Sequence, residues 1–321
     1  MNMGDCLWTR LQELAGSMGI PIVGCLHPGE MVEEAARLRQ WLAEGNGAGM
    51  TWLDRPAPSR EQPGSLLPGC RSIVVFGFPY PRRPGSGSWR ISRYALGEDY
   101  HRVINRLLAG LLAKLRQLEP ALGGQVAVDT SPLMEKALAV RAGLGWQGKH
   151  TCLIHPRYGS YLFLGELLLD RLLPAVSAPS PGSCGDCRRC LEACPTGALR
   201  EPGVLDARRC LAYLTIEHRD VIPSEFRGRM GGNWFGCDLC QEACPYNQHL
   251  SDLAVRPELQ PDPRLQSLSP GTLSELSEKA FRARFGFSSL PRATLAGLMR
   301  NAVALLPETA PELHGSMPAI I

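Results

Sequence analysis

The sequence predicts an α+β protein in three parts: an α/β layer region over residues 1–175, a cysteine-rich region over 176–250 and a short helical segment over 251–321. Three observations lead there. Helical and strand-like patterns alternate through the first half. Eight of the twelve cysteines crowd into residues 184–244. A Pro/Ser-rich stretch, LLPAVSAPSPGS (172–183), separates the two and marks the clearest boundary.

The elements follow in order. Residues 5–18 form an amphipathic helix, and IPIVG a short strand before a Pro-Gly turn. EMVEEAARLRQWLAE (30–44) is a second helix, ended by the glycine-rich GNGAG. Residues 55–70 are a Pro- and Ser-rich loop, and RSIVVFGFPY (71–80), β-branched and aromatic, is a buried strand. PRRPGSGSWRISRYALGEDYHR (81–102) is a long loop mixing arginines with glycines, serines and aromatics. Leu107, Leu108, Leu111, Leu112 and Leu115 recur at helical spacing, and Glu119-Pro120 stops that helix. QVAVDTSP (125–132) is a strand running into a turn, 133–143 a helix, and GLGWQGKH (143–150) a turn. TCLIHP and SYLFLGELLLD are strands. Beyond the cysteines, SEFRGRMGGNW (224–234) and QPDPRLQSLSP (260–270) read as loops, and 271–305 as two helices.

The cysteine spacing carries chemistry. CGDCRRCLEACP places Cys184, Cys187, Cys190 and Cys194 in C-x2-C-x2-C-x3-C-P, and GCDLCQEACP places Cys237, Cys240 and Cys244 in C-x2-C-x3-C-P. In the first pattern three thiolates serve one iron–sulfur cubane and the fourth serves a second. The runs therefore exchange ligands: Cys184, Cys187, Cys190 and Cys244 for one [4Fe–4S] cluster, Cys194, Cys210, Cys237 and Cys240 for the other. Cys210 stands well upstream of Cys237, so an insertion separates them. Zinc favours paired spacings that close one tetrahedron, and disulfide frameworks belong to short secreted chains. The region reads as a two-cluster, ferredoxin-like module. Cys6, Cys25, Cys70 and Cys152 lie in or beside apolar segments and read as small core residues.

Composition is that of a soluble globular chain, with 44% hydrophobic and 20% charged residues. A formal net charge of +3 leaves any nucleic-acid contact to local patches. The N-terminal stretch has neither a twin-arginine pair nor an apolar signal core, and no stretch is long and apolar enough to span a membrane. Thiolate ligands and clusters point to a reducing, cytoplasmic setting.

Beyond the clusters, VDTSPLMEKALAVRAGLGWQGKH (128–150), SYLFLGELLLD (160–170), the 194–218 segment and GCDLCQEACPYNQ (236–248) together resemble the epoxyqueuosine reductase family. The likeness is colinear from about residue 10 to 250, and the pairing of the first two segments ahead of the cysteines makes it specific.

This resemblance implies a cobalamin-binding domain of nitroreductase-like fold, related to that of the reductive dehalogenases. It implies reduction of epoxyqueuosine to queuosine at the wobble position of tRNAs with GUN anticodons, the last step of queuosine biosynthesis. It places the catalytic acid on Asp129, whose carboxyl works near neutral pH if burial raises its pKa; by itself, Asp129 or Thr130 also reads as a helix cap. Cobalamin, expected base-off and without a protein histidine on cobalt, would meet Ser92, Arg93, Tyr94, Asp129, Lys149, Leu153, Gly165, Ala212 and Tyr213. Asp99-Tyr100-His101 lacks the glycine of the D-x-H-x-x-G pattern. Candidate tRNA contacts are Arg82, Arg83, Arg90, Arg93, Trp89, Tyr94, His218, Arg219, Arg227, Arg229, Arg292 and Arg300, since cations and aromatics suit phosphates and unstacked bases. Partners are the anticodon stem-loop and a one-electron donor, flavodoxin or ferredoxin, and the chain is expected to act as a monomer. Longer family members continue with a helical-repeat region, so tRNA is expected to be held more thinly here. A small-molecule reductive dehalogenase and a non-catalytic electron carrier are the alternatives.

Overall fold

The computed structural model describes residues 3–55, 57–80, 88–175, 182–248 and 255–306. The chain begins with α1 (Met3–Ser17), β1 (Ile22–Leu26), α2 (Val32–Ala43), the single-turn α3 (Pro58–Glu61) and β2 (Ser72–Pro79). The two-residue β3 (Arg90–Ile91) leads through a 3-10 turn at Arg93–Ala95 into α4 (Tyr100–Leu118). Next come β4 (Gly124–Ala127), α5 (Glu135–Arg141), the hairpin of β5 (Trp146–Gln147) and β6 (Leu153–Ile154), and β7 (Leu162–Leu169).

The central sheet runs β1-β2-β7-β4, and each neighbouring pair is antiparallel. Alternating helices and strands set the layers but not the strand direction, so this region is α+β rather than a parallel α/β sheet. Side chains alternate across each strand and build two cores. Phe163, Leu167 and Leu169 of β7 face α1 and α4, whereas Leu164 and Leu168 face α5. Helix α4 buries Val103, Ile104, Leu107, Leu108, Leu111, Leu112 and Leu115 against the sheet. At about 1.5–3 kcal/mol for each fully buried aliphatic side chain, that stripe is the main anchor of the helix. Gly165 lies under it, where an added Cβ would meet Ile104 Cγ2 at 2.7 Å.

The cysteine-rich lobe holds α6 (Arg189–Glu192), the β8 (Leu199–Glu201)–β9 (Val204–Leu205) hairpin, α7 (Leu211–Ile216), α8 (Ser224–Arg227), β10 (Asn233–Phe235) and α9 (Leu239–Glu242). After it come α10 (Pro263–Gln266), α11 (Pro270–Ser274), α12 (Glu278–Phe285) and α13 (Thr294–Leu305). Segments 224–234 and 260–270, expected as loops, thus contain α8, β10 and α10. Elements this short carry too few periodic positions to stand out from a loop.

The three sequence parts interleave. Strand β3, from the first part, pairs in parallel with β10 of the cysteine-rich lobe. Trp234 Nε1 donates to the Leu298 carbonyl at 2.7 Å, and Asn301 Nδ2 donates to the carbonyls of Thr215 and Trp234 at 2.8 and 2.9 Å. Ile91, Leu96, Ile216, Trp234, Phe235, Phe281, Phe285 and Leu298 form one core. The C-terminal helices are part of the same body as the cysteine lobe.

Candidate functional site

The cysteines meet in two groups. Cys184, Cys187, Cys190 and Cys244 line a cavity of about 200 Å³ together with Lys149, His150, Pro245 and Tyr246. Each run bends its thiols inward through a single helical turn, α6 and α9, which pack against each other. Cys194, Cys210, Cys237 and Cys240 form the other group: Cys210 senses the charge of Cys194, Cys237 senses both, and Cys240 senses Cys210 and Cys237. The Ala198 amide donates to Cys194 Sγ at 3.2 Å, and such amide–sulfur bonds favour a thiolate.

These residues fit a cubane better than zinc. Among the described residues no three His, Cys, Asp or Glu side chains converge on one ion position; in a cubane each thiolate binds its own iron, whereas zinc needs all four on one atom. Among the described residues, two buried donors at the first group also lack partners. His150 is 3% exposed and neutral, because burial holds its pKa down at about 4. Its Nδ1 accepts from the Cys152 amide at 3.2 Å, which leaves an Nε2–H without a partner. Trp146, packed on Cys184 and Cys244, has an equally orphaned Nε1–H. Sulfide and thiolate sulfur are acceptors for such groups.

Polar clamps fix the lobe to the sheet. Arg93, 5% exposed, pairs with Asp238 at 3.1 Å and Glu242 at 2.7 Å, and Arg90 pairs with Glu242 at 2.6 Å. Asn247 accepts from the Ser160 amide at 2.8 Å and donates to Ser160 Oγ at 2.9 Å.

Asp129 follows β4 with φ of +41°, a left-handed conformation that Asp tolerates better than most residues. Its amide donates to Glu135 Oε1, at the start of α5, at 2.5 Å. Its Oδ2 lies 2.9 Å from His101 Nε2, and His101 Nδ1 lies 2.7 Å from Asp99 Oδ1. Asp99 is also the N-cap of α4, accepting from the His101 amide at 3.0 Å. The ring of Tyr100 stacks on His101 at 4.0 Å and on Phe163 at 4.3 Å. Asp129 is a turn residue here and caps no helix.

The expected rise in the Asp129 pKa is not found. Partial burial pushes its carboxyl up, but the hydrogen bond and charge of His101, with help from Tyr100 and Arg292, bring it below the usual range. The side chain is 51% exposed, and the apolar residues before it point their own side chains inward without covering it. His101 moves the other way. Burial pulls it down, yet its hydrogen bonds to Asp129 and Asp99 lift it to about 9.

The raised carboxyls lie behind the loop. Glu166, on β7, is 0% exposed, and neither of its oxygens makes a hydrogen bond of ordinary geometry. Burial and then the neighbouring Glu135 push it well above the carboxylate range. Burial and then Asp129 push Glu135 to about 7. Because both folded-state values exceed the unfolded ones, their stabilisation is complete in acid and is lost as pH rises above the ordinary carboxylate range, for Glu135 through about 7. Glu166→Gln is therefore expected to flatten the fall in anaerobic melting temperature across that window, gaining roughly 1–3 kcal/mol at its alkaline end. An unchanged slope would show that Glu166 is ionised in the native protein.

The other expected site residues divide. Lys149 sits on the first cysteine group, its Nζ donating to the Gly185 carbonyl at 2.5 Å. Leu153, buried, follows Cys152, which lies within electrostatic reach of Cys240. Ala212, half-buried, follows Cys210 on α7. The Tyr213 hydroxyl is a packing contact that accepts from the Gly49 amide at 2.8 Å. Tyr94 packs edge-on against Tyr100 and beside Phe235. Gly165 lies in the α4–sheet layer, where an added Cβ would also meet the Ala127 carbonyl, two residues before Asp129, at 3.6 Å.

The expected arginine surface is largely corrected. Arg82 and Arg83 lie outside the described residues. Arg90 and Arg93 are occupied by the clamp, and Trp89 packs edge-on against Trp234 at 5.7 Å. Arg300 donates to the carbonyls of His218, Asp220 and Leu214 at 2.6–2.9 Å, and burial lowers its pKa to about 10. Arg219 likewise holds the carbonyls of Ile216 and Arg292, Arg227 that of Ile222, and His218 faces the Val221 carbonyl at 3.3 Å. Arg229 is exposed. Arg292 remains near the acid: it is exposed, pairs with Glu217 at 2.8 Å, lies 5.1 Å over the ring of the 38%-exposed Trp52, and feels the charge of Asp129. His101, Glu135, Glu166 and Trp52 were missed. An acidic residue on each side of a histidine, 28 positions apart at the farther, leaves no local signal.

Fold and site define an iron–sulfur oxidoreductase with an acid–base group on its sheet domain. Residues 60–130 match the family described as epoxyqueuosine reductase QueG, and residues 183–247 match a 4Fe-4S double cluster binding domain. The epoxyqueuosine reductase of Synechococcus sp. (strain CC9605) is 40% identical over 279 residues, covering 86% of each chain. That of Synechocystis sp. is 42% identical over 281 residues, 85% of this chain and 96% of its own. A crystal structure of epoxyqueuosine reductase with an epoxyqueuosine-modified tRNA-Tyr stem loop superposes with a TM-score of 0.87 at 32% identity, covering 97% of this chain and 84% of that one. A structure from Bacillus subtilis, with its catalytic aspartate loop swung out of the active site, gives 0.87 at 31% identity, covering 98% and 86%. The chain belongs to the epoxyqueuosine reductase family.

Proposed function

We propose that this chain reduces epoxyqueuosine at the wobble position of tRNA to queuosine, with base-off cobalamin as the reducing cofactor and two [4Fe–4S] clusters as its electron relay. The observation that carries this reading is that one packed body holds both kinds of chemistry. An Asp–His acid–base group on the sheet side stands beside Arg292 from the C-terminal region, in a body whose other lobe groups eight cysteines.

Bound cobalamin supplies the two-electron reduction. Lys149, Leu153 and Ala212, beside the cysteine groups, and Asp129 would hold it. His101 has both ring nitrogens engaged by carboxylates, so the residues fit a corrinoid that takes no ligand from this histidine. Asp129 delivers a proton to the oxygen that leaves the nucleoside. The clamp of Arg93 on Asp238 and Glu242 keeps the lobes in register and helps exclude water between them. Electrons enter at the group of Cys184, Cys187, Cys190 and Cys244 from flavodoxin or ferredoxin. The protein acts as a monomer in the cytoplasm, and among the described residues no helix is long and apolar enough to cross a membrane.

Reconstitution with iron, sulfide and cobalamin without oxygen, followed by nucleoside analysis of epoxyqueuosine-containing tRNA and a reductant, tests the reading. Queuosine is expected; cobalamin binding with an untouched nucleoside would overturn it.

Arg292 and Trp52 offer a cation and an exposed ring beside Asp129, suited to a phosphate and a splayed base. Arg292→Ala is expected to weaken stem-loop binding and reduce its salt slope by roughly one unit. Unchanged affinity and slope would move the RNA contact elsewhere.

A further inference from the structure

His101 faces a carboxylate at each ring nitrogen: Asp99 Oδ1 at Nδ1 and Asp129 Oδ2 at Nε2. A carboxylate only accepts, so this arrangement is complete only when both nitrogens carry protons. The surroundings bear on the same charge. Position two of α4 is unfavourable for a cation, because the helix N-terminus is itself positive. Tyr100 covers one face of the ring, and Glu135 of α5, itself raised to about 7, interacts with the ring's charge. Arg102 and Arg292 act electrostatically on Asp99 and Asp129 respectively. The two directly bonded carboxylates outweigh burial and the dipole, and the imidazole is lifted to about 9. Asp129 is correspondingly held ionised, with no proton of its own to give at neutral pH.

We propose that His101 is the proton store for the reduction: its Nε2–H passes to Asp129, and Asp129 passes the proton to the oxygen leaving the nucleoside. This rests on Asp129 being the acid proposed above. The reduction consumes two electrons and two protons. Both carbon–oxygen bonds break, a carbon–carbon double bond forms, and the oxygen leaves as water. The electrons come from the one-electron donor by way of the reduced cofactors. The first proton meets the oxygen as its first bond to carbon breaks, and the second as it departs. After each transfer His101 is neutral, with Nδ1–H still bonded to Asp99, and it regains a proton at Nε2 from solvent, which reaches it because its side chain is 33% exposed. Asp99 is the positioning residue, fixing the ring through the cap of α4.

The test compares pH profiles of single-turnover rates for wild type, His101→Gln and Asp129→Asn, each reconstituted and reduced, on an epoxyqueuosine RNA stem-loop. Wild type is expected to hold its rate up to about 9 and fall above it. His101→Gln should lose roughly 100-fold at neutral pH, the low end of general-acid effects, with KM unchanged and the fall moved into the acidic range. A His101→Gln profile matching wild type, with Asp129→Asn inactive, overturns the store and leaves the acid standing. Normal turnover by Asp129→Asn removes both. Nitrogen NMR of labelled histidine reads the state without turnover: His101 should stay an imidazolium through neutral pH and titrate lower in Asp129→Asn. A neutral His101 at pH 7 in wild type overturns the proposal, whatever the variants do.

Discussion

Asp129→Asn is expected to lower turnover of epoxyqueuosine RNA by roughly 10²–10⁴-fold, the usual contribution of a positioned general acid. The fold should be untouched. Asn adopts left-handed φ as readily as Asp, its amide N–H still reaches Glu135, and its carbonyl still accepts from His101. What it lacks is an oxygen that carries a proton. The pKa of His101 should fall from about 9 toward the ordinary histidine value as one of its two carboxylates disappears. Cluster absorption and stem-loop affinity serve as controls and should not change. Retained turnover would remove Asp129 as the acid and leave Glu135, at about 7, as the next carboxyl to examine.

Cys210→Ala is expected to abolish turnover by a different route. Cys210 stands just before α7, where the chain turns into the helix, and Cys194, Cys237 and Cys240 surround it. Alanine preserves the turn but withdraws one of four thiolates, and iron–sulfur clusters depend on the full set. About half of the iron and sulfide should be lost, with the group at Cys184, Cys187, Cys190 and Cys244 retained. RNA binding through Arg292 should persist, because α13 and its neighbours pack on Trp234 and Phe235 rather than on a cluster. Full iron content in this variant would take Cys210 out of the ligand set. The result would also separate electron delivery from proton delivery, since Asp129→Asn leaves the first intact.

The sequence by itself determined the elements with strong periodicity and the chemistry with fixed spacing. The leucine stripe of α4 was legible because a buried helix face repeats at 3.6 residues, and β2 and β7 because a short, nearly continuous apolar run marks a strand buried on both faces. The two cysteine runs were legible because a tight loop around a cubane needs its thiols at set intervals. Short elements such as β3, α8 and β10 were not, being too brief to show a period. Only the tertiary structure decided what the charged residues do. Arg90, Arg93 and Arg300 look like RNA contacts in a list of cations, but ion pairs and backbone carbonyls occupy them. His101 looks like a failed cobalt ligand, yet β4 and the start of α4 place it between two carboxylates. Glu166 is one letter in an apolar strand, and alternation on β7 turns it to the face behind the Asp129 loop, where burial keeps it protonated. A side chain's protonation state depends on which distant groups the fold brings within a few ångströms, and sequence spacing carries no record of those distances.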